Sequence, residues 1–331
     1  MQDLPDWNAV RFDSLSPRGH VESYFVKAND ARGRRALWLN ATIYASLHRP
    51  AHAVAEAWAI VFDREHEHVA VKDTVPIAEA SFCSDALNVR VGDRLWLAPT
   101  ETRGDITQGE HKISWSLRME GDTRPLVMLP HPSMYAAPFP KLKLVSPMPD
   151  LRFEGTLTVD GRRTKVTAWR GMQGHSWGRG HADLYAWGHC NRWDQSEDVV
   201  VEAVSARMKV GPVLTPTMTI VRVRHEGHDL PLATPAGLLR NRGEIHARRW
   251  FFRARHAGAM VEGDFSAQTE DFAGLYCPDP NGEMTYCLNS KLANGRVRID
   301  LPGREPLELT TRCAALELGT RDPIHGVRMM A

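Results

Sequence analysis

The sequence predicts an all-β protein in which two antiparallel barrel or sandwich domains pack together. Short runs rich in Val, Ile, Thr, Trp and Tyr alternate with turn signals of Gly, Pro, Asn and Asp. Patterns with the helical period are scarce, and "TPAGLLRNRG" at 234–243 is the one short helix candidate. The two halves form meanders of similar size, which two stacked domains would explain.

Strands of the first half are predicted from five runs. The segment "DREHEH" at 63–68 predicts a hairpin loop between the third run and the fourth. In order, the runs are "HVESYFVKAN", "RALWLNATIYAS", "AEAWAIVFDR", "HVAVKDTVP" and "KISWSLRME".

A proline-rich stretch separates the two halves, with six prolines between residues 130 and 149. Proline removes a backbone donor and pushes the residue before it toward extended geometry, so this stretch should interrupt regular structure. We therefore predict a first domain over 1–148 and a second over 149–331. The alternative is a long crossover inside one domain.

The second half opens with "FEGTLTVDGRRTKVTAW", in which Asp160 and Gly161 predict a type I′ hairpin turn. Two further hairpins are indicated by Glu226 with Gly227 and by Pro302 with Gly303. The remaining strand candidates are "DVVVEAVSARMKV", "TPTMTIVRVRHEGHDLPL", "IHARRWFFRARH", "AMVEGDFSAQT", "MTYCLNSKLA" and "RVRIDLPGREPLELTTRCAALEL".

Composition limits the partners of this 331-residue chain. The net charge is +1, so no overall field attracts nucleic acid or an anionic membrane, and an uncharged or small partner is expected. Five cysteines without a Cys-x-x-Cys pair, and a start without a signal-peptide pattern, predict free thiols and a cytoplasmic location. The apolar runs are too short for a transmembrane segment. A homodimer is compatible with the sequence.

Aromatic and titratable residues are concentrated in "GMQGHSWGRGHADLYAWGHCNRW" at 171–193. If "HADLYAWGH" is one strand, one face carries His181, Asp183, Tyr185, Trp187 and His189, and the other carries small apolar residues. This composition predicts the wall of a ligand cavity. The alternative is ordinary core packing of the aromatic rings, with the histidines satisfying hydrogen bonds.

A metal site is not predicted in this segment. A strand rises by roughly 3.3 Å per residue, which would separate His181 from His189 by about 26 Å. His175 and His181 could meet across a turn at Gly178 and Gly180, but no clear third ligand accompanies them.

The segment also resembles a known group of proteins. The hairpin is followed by "GHSWG" and then by "YAWGH", an order similar to that of the two-domain lipocalin-like (calycin) superfamily. That superfamily contains hydroxyneurosporene synthase (carotenoid 1,2-hydratase), tocopherol cyclase and the cofactor-free Diels-Alderases. In it, a pattern like Asp-His-x-Trp-Gly precedes an aromatic strand like Trp-x-Trp. His175, Trp177 and Gly178 match the first pattern, and Trp187 matches the second.

The resemblance implies two calycin-type barrels, no cofactor, and a hydrophobic small molecule bound in or between them. The acidic position before the motif histidine is Gly174 in this chain. If that carboxyl group is the proton donor in the alkene-hydrating members, this chain lacks it there. Carotenoid hydration is therefore not carried over.

Candidate catalytic residues follow from the need for an acid of matched pKa in a dry cavity. We predict His175 as the leading acid or base, with Asp183 or Glu22 as its orienting partner. The predicted substrate contacts are Trp177, Tyr185, Trp187, His189 and Glu56. Glu22 and Glu56 were selected because each interrupts an otherwise apolar strand, although a solvent-facing position would explain either one.

The run "MTYCLNSKLA" offers an alternative set of reactive groups. Strand alternation places Cys287, Asn289 and Lys291 on one face, which would suit an activated thiol or an imine-forming lysine. We expect instead that Lys291 points to water, as a lysine in a late strand usually does.

These observations predict a cofactor-independent lyase or isomerase, that is, a hydratase, a cyclase or a C–C or C–O lyase. It would act by acid–base catalysis on a hydrophobic terpenoid, polyketide or aromatic molecule. The alternatives are a carrier that binds a lipophilic ligand without changing it, and a structural β protein without an enclosed cavity. Dinucleotide, phosphate-loop and nucleophile-elbow patterns are missing from the sequence.

Overall fold

The computed structural model describes residues 6–16 and 18–331. This part of the chain is almost entirely β-structure, arranged in two large antiparallel sheets, which confirms the predicted fold class. Its two α-helices are α1 (Ser133–Ala136) and α2 (Gly237–Arg240), and α2 lies in the predicted helix candidate. Both have four residues, far fewer than the roughly 20 needed to cross a membrane.

Twelve strands form the first sheet, in the order β4-β3-β2-β1-β12-β11-β9-β8-β7-β6-β5, with β10 beside β11. The strands are β1 (His20–Asn29), β2 (Arg35–Ser46), β3 (Arg49–Asp63), β4 (Val69–Pro76), β5 (Ala80–Phe82), β6 (Val89–Val91), β7 (Leu95–Leu97), β8 (Glu101–Gln108), β9 (His111–Asp122), β10 (Leu126–Val127), β11 (Leu142–Val159) and β12 (Arg162–Gly178). The sheet curls until β4 lies against β8 and β9, so it forms a nearly closed barrel.

Ten strands form the second sheet, in the order β18-β17-β14-β13-β24-β23-β21-β20-β19, with β22 beside β23; β15 and β16 pair separately. The strands are β13 (Leu184–Cys190), β14 (Val199–Arg207), β15 (Lys209–Val210), β16 (Val213–Leu214), β17 (Met218–His225), β18 (His228–Asp229), β19 (Arg242–Ile245), β20 (Arg249–His256), β21 (Ala259–Ser266), β22 (Ala273–Pro278), β23 (Met284–Asp300) and β24 (Leu307–Thr320). This sheet also curls, and the curl brings β17 against β19 and β20.

The predicted turns are present. Asp160 and Gly161 adopt positive φ angles of 47° and 80° between β11 and β12, as a type I′ turn requires. Glu226 and Gly227 do the same between β17 and β18, and "DREHEH" connects β3 to β4. Local turn chemistry was therefore a reliable guide to hairpins.

The change of sheet does not coincide with the predicted domain boundary at residue 148. Strands β11 and β12 pair with β9 and β1, so the hairpin expected to open the second domain belongs to the first sheet. The chain enters the second sheet between Gly178 and Leu184. The prolines do not end the pairing, because β11 runs through Pro147 and Pro149 and stays paired with β12 through shifts in register. We propose that the two units meet near residue 180.

Alternation along the strands divides the interior into three apolar regions. Even-numbered residues of β1, such as Tyr24 and Val26, fill the first barrel, while Trp250 and Phe252 fill the second. Odd-numbered residues of β1, such as Phe25, face the second sheet and pack against it in a third cluster. The two sheets are therefore joined by a substantial apolar contact, and the candidate site lies there.

Candidate active site

A cavity of about 220 Å³ lies between the two sheets. The first sheet contributes Phe25, Trp38 and Asn40 to its wall, and the second contributes Tyr185 and Trp187. Residues between β10 and β11, among them Leu129, Met134 and Phe139, close another side. The wall is mainly apolar, with a few convergent polar groups, as is typical of small-molecule sites. We call this space the inter-sheet cavity.

Glu317 is the centre of the polar part of this wall. Its Oε1 accepts a hydrogen bond from the Tyr185 hydroxyl at 2.7 Å, and its Oε2 accepts one from Asn289 Nδ2 at 2.9 Å. Cys287 Sγ lies 3.1 Å from the same Tyr185 oxygen. All four residues line the cavity. A carboxylate held by two donors inside an apolar wall is positioned to exchange a proton with a ligand.

The strand order explains why these four side chains meet. Strand β24 lies between β13 and β23, and its Glu317 is opposite Trp187 on one side and Asn289 on the other. Gly319 is essential to the arrangement, because a Cβ atom there would lie 1.8 Å from the Tyr185 ring. The missing side chain lets the tyrosine lie across β24 toward Cys287.

Lys291 extends this cluster into the protein interior. Its side chain is completely buried and donates a hydrogen bond to Asn289 Oδ1, and its Nζ lies 5.2 Å from the Trp187 ring centre. Burial lowers the pKa of Lys291 to about 7. The expectation that Lys291 points to water is therefore wrong, whereas its predicted face, shared with Cys287 and Asn289, is confirmed.

Glu202 lies behind Trp187. Its two carboxyl oxygens accept hydrogen bonds from Trp187 Nε1 at 2.9 Å and from Ser146 Oγ at 2.7 Å. Burial raises the pKa of Glu202 to about 7, because these neutral donors only partly offset the desolvation. Val204 and Ala206, on the same face of β14, line the cavity. Glu202 can therefore retain its proton close to neutral pH at the base of the site.

Two other polar groups reach the cavity. Asn40 is buried, and its Oδ1 accepts no hydrogen bond from any described residue. His181 bonds through Nδ1 to Asp279 Oδ1 at 2.6 Å, and its ring stacks 6.1 Å from that of Tyr185. The wall thus offers an unsatisfied acceptor on the first sheet and an imidazole in the connection between β12 and β13.

The predicted pair of His175 and Glu22 is in contact, with 2.9 Å between Nε2 and Oε1. Glu22 also accepts hydrogen bonds from the Tyr24 hydroxyl and the Arg11 backbone N–H, and its Oε2 lies 2.8 Å from His20 Nε2. Burial alone would raise the pKa of Glu22, but the hydrogen bonds and charges of His175 and His20 outweigh it and lower the pKa to about 2.

This pair does not line the inter-sheet cavity. The side chains of Glu22 and His175 are fully buried on the face of β1 and β12 that points into the first barrel. His175 Nδ1 donates to the Trp7 carbonyl at 2.6 Å, and Tyr24 stacks on the imidazole with 4.1 Å between ring centres. The catalytic role predicted for the pair stays a prediction, and the geometry shows a closed cluster.

The other predicted site residues are spread over the molecule. Tyr185 and Trp187 line the inter-sheet cavity. Asp183 precedes β13 and accepts a hydrogen bond from the Lys209 backbone N–H at 2.7 Å, so it is not the partner that His175 contacts. Trp177 packs against His175 and lines a second cavity.

His189 and Glu56 also lie outside the wall of the inter-sheet cavity. His189 is fully buried, and its Nε2 donates to the Pro149 carbonyl at 3.0 Å. Burial and the charge of Lys27 hold the pKa of His189 well below its usual value. Glu56 forms an ion pair with Lys72 at 2.7 Å. The expected common strand face holds only for Tyr185, Trp187 and His189, because β13 begins at Leu184.

The sequence reasoning missed Glu317 and Glu202. Each interrupts an apolar run, in "AALEL" and "VVVEAV", which is the same signal that singled out Glu22 and Glu56. The signal identifies carboxyl groups on strands with a buried face, but it does not say which of them are buried or which apolar region each one faces.

Comparison with known proteins supports this architecture. Uncharacterised proteins from two strains of Mycobacterium tuberculosis are 27% identical over 326 residues, which cover 97% of this chain and 91% of theirs. An AttH-like protein from Nitrosomonas europaea superposes with a TM-score of 0.55 at 14% identity, covering 96% of this chain and all of that one.

Two further solved structures share the fold. CghA gives a TM-score of 0.58 at 13% identity, with 92% of this chain and 89% of that chain covered. Kievitone hydratase from Nectria haematococca gives 0.54 at 13% identity, with 96% and 95% covered. The tocopherol cyclase-like family profile matches residues 80–320, which includes most of both sheets. The chain therefore belongs to the tocopherol cyclase-like family, which confirms the resemblance drawn from its motifs.

Proposed function

We propose that this protein is an enzyme of the lyase or isomerase type that transforms a hydrophobic small molecule in the inter-sheet cavity by acid–base catalysis. The observation that carries the proposal is the placement of Glu317, held by Tyr185 and Asn289, in an otherwise apolar wall. A ligand carrier needs the apolar wall but has no need for a proton-exchange group held in that wall.

Glu317 is the proposed base. As a carboxylate it takes a proton from a carbon or oxygen atom of the ligand, while Tyr185 and Asn289 keep it oriented through their hydrogen bonds. Lys291 acts through Asn289, and its pKa of about 7 lets it adjust the charge of the cluster close to neutral pH. Apolar walls exclude water, which strengthens each of these electrostatic interactions.

The shape and polarity of the wall suggest the class of ligand. Trp38, Trp187 and Phe25 offer aromatic faces, which favour a terpenoid, polyketide or polyphenol skeleton. Such faces also stabilise a developing cation by about 0.5–2 kcal/mol each. Asn40 Oδ1, which lacks a partner among the described residues, would accept a hydrogen bond from a ligand hydroxyl group. The proposed ligand is therefore hydrophobic, unsaturated and hydroxylated.

The names of the relatives are compatible with this chemistry. A hydratase adds water across a double bond and a cyclase closes a ring, and both reactions can proceed by positioned proton transfer. The chain supplies its own acid and base groups, so we propose that the reaction needs no cofactor. His175 and Glu22 are proposed as positioning residues that hold the β1–β12 face rigid behind the cavity.

The test compares binding with turnover in Glu317→Gln. Binding of hydroxylated terpenoids, polyketides and polyphenols is followed by quenching of tryptophan fluorescence, and conversion by liquid chromatography with mass spectrometry. The amide preserves the shape of the side chain but cannot take up the proton, so turnover should fall about 10²–10⁴-fold while affinity changes little. The exposed Glu308→Gln on the same strand is the matched control.

A carrier gives a different result in the same experiment. The wild-type protein would then bind a ligand tightly and return it unchanged after long incubation, and Glu317→Gln would behave in the same way. If no apolar ligand binds, the result contradicts both the enzyme function and the carrier function.

A further inference from the structure

A second cavity, separate from the inter-sheet cavity, lies beside the first barrel. Its volume is about 440 Å³. Three parts of the chain bound it: residues 11–16 and 18–20 up to the start of β1, residues 135–143 around the start of β11, and residues 177–179 at the end of β12. We call it the basic cavity. None of the groups assigned to catalysis above lines it.

Five cationic side chains and one carboxylate, Asp13, line the basic cavity. Among the described residues, no carboxylate oxygen lies within 4.0 Å of a side-chain nitrogen of these five cations. The net charge of the whole chain is only +1, so this concentration of positive charge is local. The five cations are Arg11, Arg18, Lys141, Lys143 and Arg179.

The excess of positive charge is clearest at Lys143, because this residue is only 4% exposed. Its ammonium group donates hydrogen bonds to the carbonyl oxygens of Ala137, at 2.8 Å, and Pro140. Burial and the nearby charge of Arg179 lower the pKa of Lys143 to about 8. Carbonyl groups satisfy its hydrogen bonds without neutralising its charge, whereas a bound anion would do so.

Two contacts hold the Arg11 side chain in the wall of the basic cavity. Its guanidinium carbon lies 5.1 Å from the Trp177 ring centre, and one Nη donates to the Asp6 carbonyl at 2.7 Å. The buried Nε has no hydrogen-bond partner among the described residues. A stacked guanidinium held by a hydrogen bond is prepared to bind a planar or tetrahedral oxyanion, because little side-chain freedom remains to be lost.

We propose that the basic cavity binds a phosphate-class anion, that is, a phosphate or diphosphate group. Five converging cations exceed what one carboxylate ligand could neutralise, while a diphosphate offers several charged oxygens to arginine and lysine together. Asp13 does not block the site, because its Oδ1 accepts a hydrogen bond from the Leu15 backbone N–H in its own loop. This assignment is independent of the chemistry proposed for the inter-sheet cavity.

The anion could be free in solution or could belong to a lipid headgroup, since both present the same oxygens. Leu15 is 91% exposed and Phe139 is 42% exposed, and each lies in one of the segments that bound the cavity. Exposed apolar side chains beside cations would also suit contact with a membrane surface. The experiment therefore has one arm for each source.

The first arm titrates inorganic pyrophosphate into the full-length protein by calorimetry. The second measures sedimentation with phosphatidylcholine vesicles that contain or lack phosphatidylglycerol. Both compare the wild type with Lys141→Gln/Arg179→Gln and with the control Arg162→Gln/Lys165→Gln, which makes the same charge change at the other end of β12. All four side chains are exposed, so the fold should persist.

We expect binding by the wild type and the control, and a loss of about tenfold or more in Lys141→Gln/Arg179→Gln. Binding of pyrophosphate identifies a soluble anion as the source. Binding only to the anionic vesicles, with the same loss in the double variant, identifies a lipid headgroup. The proposal is overturned if neither probe binds, or if the two double variants weaken binding equally, since the effect would then reflect net charge alone.

Discussion

Two buried carboxyl groups in this molecule have opposite electrostatic surroundings. Glu22, in the first barrel, and Glu202, between the sheets, are both inaccessible to solvent. The pKa of Glu22 is lowered to about 2, because two imidazoles outweigh the effect of burial. The pKa of Glu202 is raised to about 7, because only a hydroxyl and an indole N–H bond to it. Burial alone therefore does not decide the charge of a carboxyl group; its partners do.

The comparison separates a carboxyl group that stabilises the fold from one that is suited to proton transfer. An ionised carboxylate surrounded by four donor groups is a structural group, because every oxygen lone pair is already in use. A carboxyl group that titrates close to neutral pH beside a cavity is suited to proton transfer.

Glu22→Gln should give the largest loss of stability. The amide offers one acceptor oxygen where the carboxylate offers two, so buried donors lose their acceptor. The stabilisation that lowers the pKa of Glu22 from 4.5 to about 2 is then lost, at a cost of about 3 kcal/mol in the free energy of unfolding. Equilibrium unfolding in urea at pH 7 measures this loss.

The wild type should also lose stability as the pH falls from 4.5 to about 2, since the unfolded chain then binds the extra proton. Glu22→Gln should not show this dependence. Unchanged stability combined with lost turnover would instead restore the catalytic role that the sequence suggested for Glu22.

Glu202→Gln should raise the stability of the protein instead of lowering it. Between pH 4.5 and 7 the native state holds a proton that the unfolded chain has released, so the stability of the wild type falls as the pH rises through this window. The amide removes this penalty and can still accept from Trp187. The variant should be more stable than the wild type at pH 8, by up to about 3 kcal/mol, and similar to it at pH 4.5.

Thermal unfolding across a pH series tests this expectation. A variant that is destabilised equally at both pH values would show that Glu202 is ionised in the native protein, and the contrast with Glu22 would disappear.

Glu56→Gln should have the smallest effect. The variant loses a partly exposed ion pair with Lys72, which typically contributes about 0.2–1 kcal/mol. Ligand affinity should be unchanged, because Glu56 does not line the inter-sheet cavity. Fluorescence titration checks this, and a clear drop in affinity would favour the predicted role of Glu56 in substrate binding.

Much of the architecture follows from local sequence. Turn signals such as Asp160 with Gly161 and Glu226 with Gly227 located the hairpins, and apolar alternation located the strands. The change of sheet does not fall at the proline-rich stretch, because strand pairing continues across Pro147 and Pro149 through shifts in register. Local composition records where a strand is irregular, but it does not record which sheet the strand joins.

The candidate site was predictable only in part. Tyr185 and Trp187 were selected by their alternation beside glycines, and both line the cavity. Glu317 and Asn289 are adjacent only because β24 and β23 pair in one register, and residues 185 and 317 are far apart in the chain. No periodicity in the sequence specifies that pairing.

By itself, the sequence determined the class of fold, the positions of the predicted turns and the alternation of side chains along the strands, because these depend on neighbours one to four residues away. Only the tertiary structure decided which carboxyl group faces imidazoles and which faces a cavity. That choice depends on strand order and on which face of each strand is covered, and both are set by packing between residues distant in sequence.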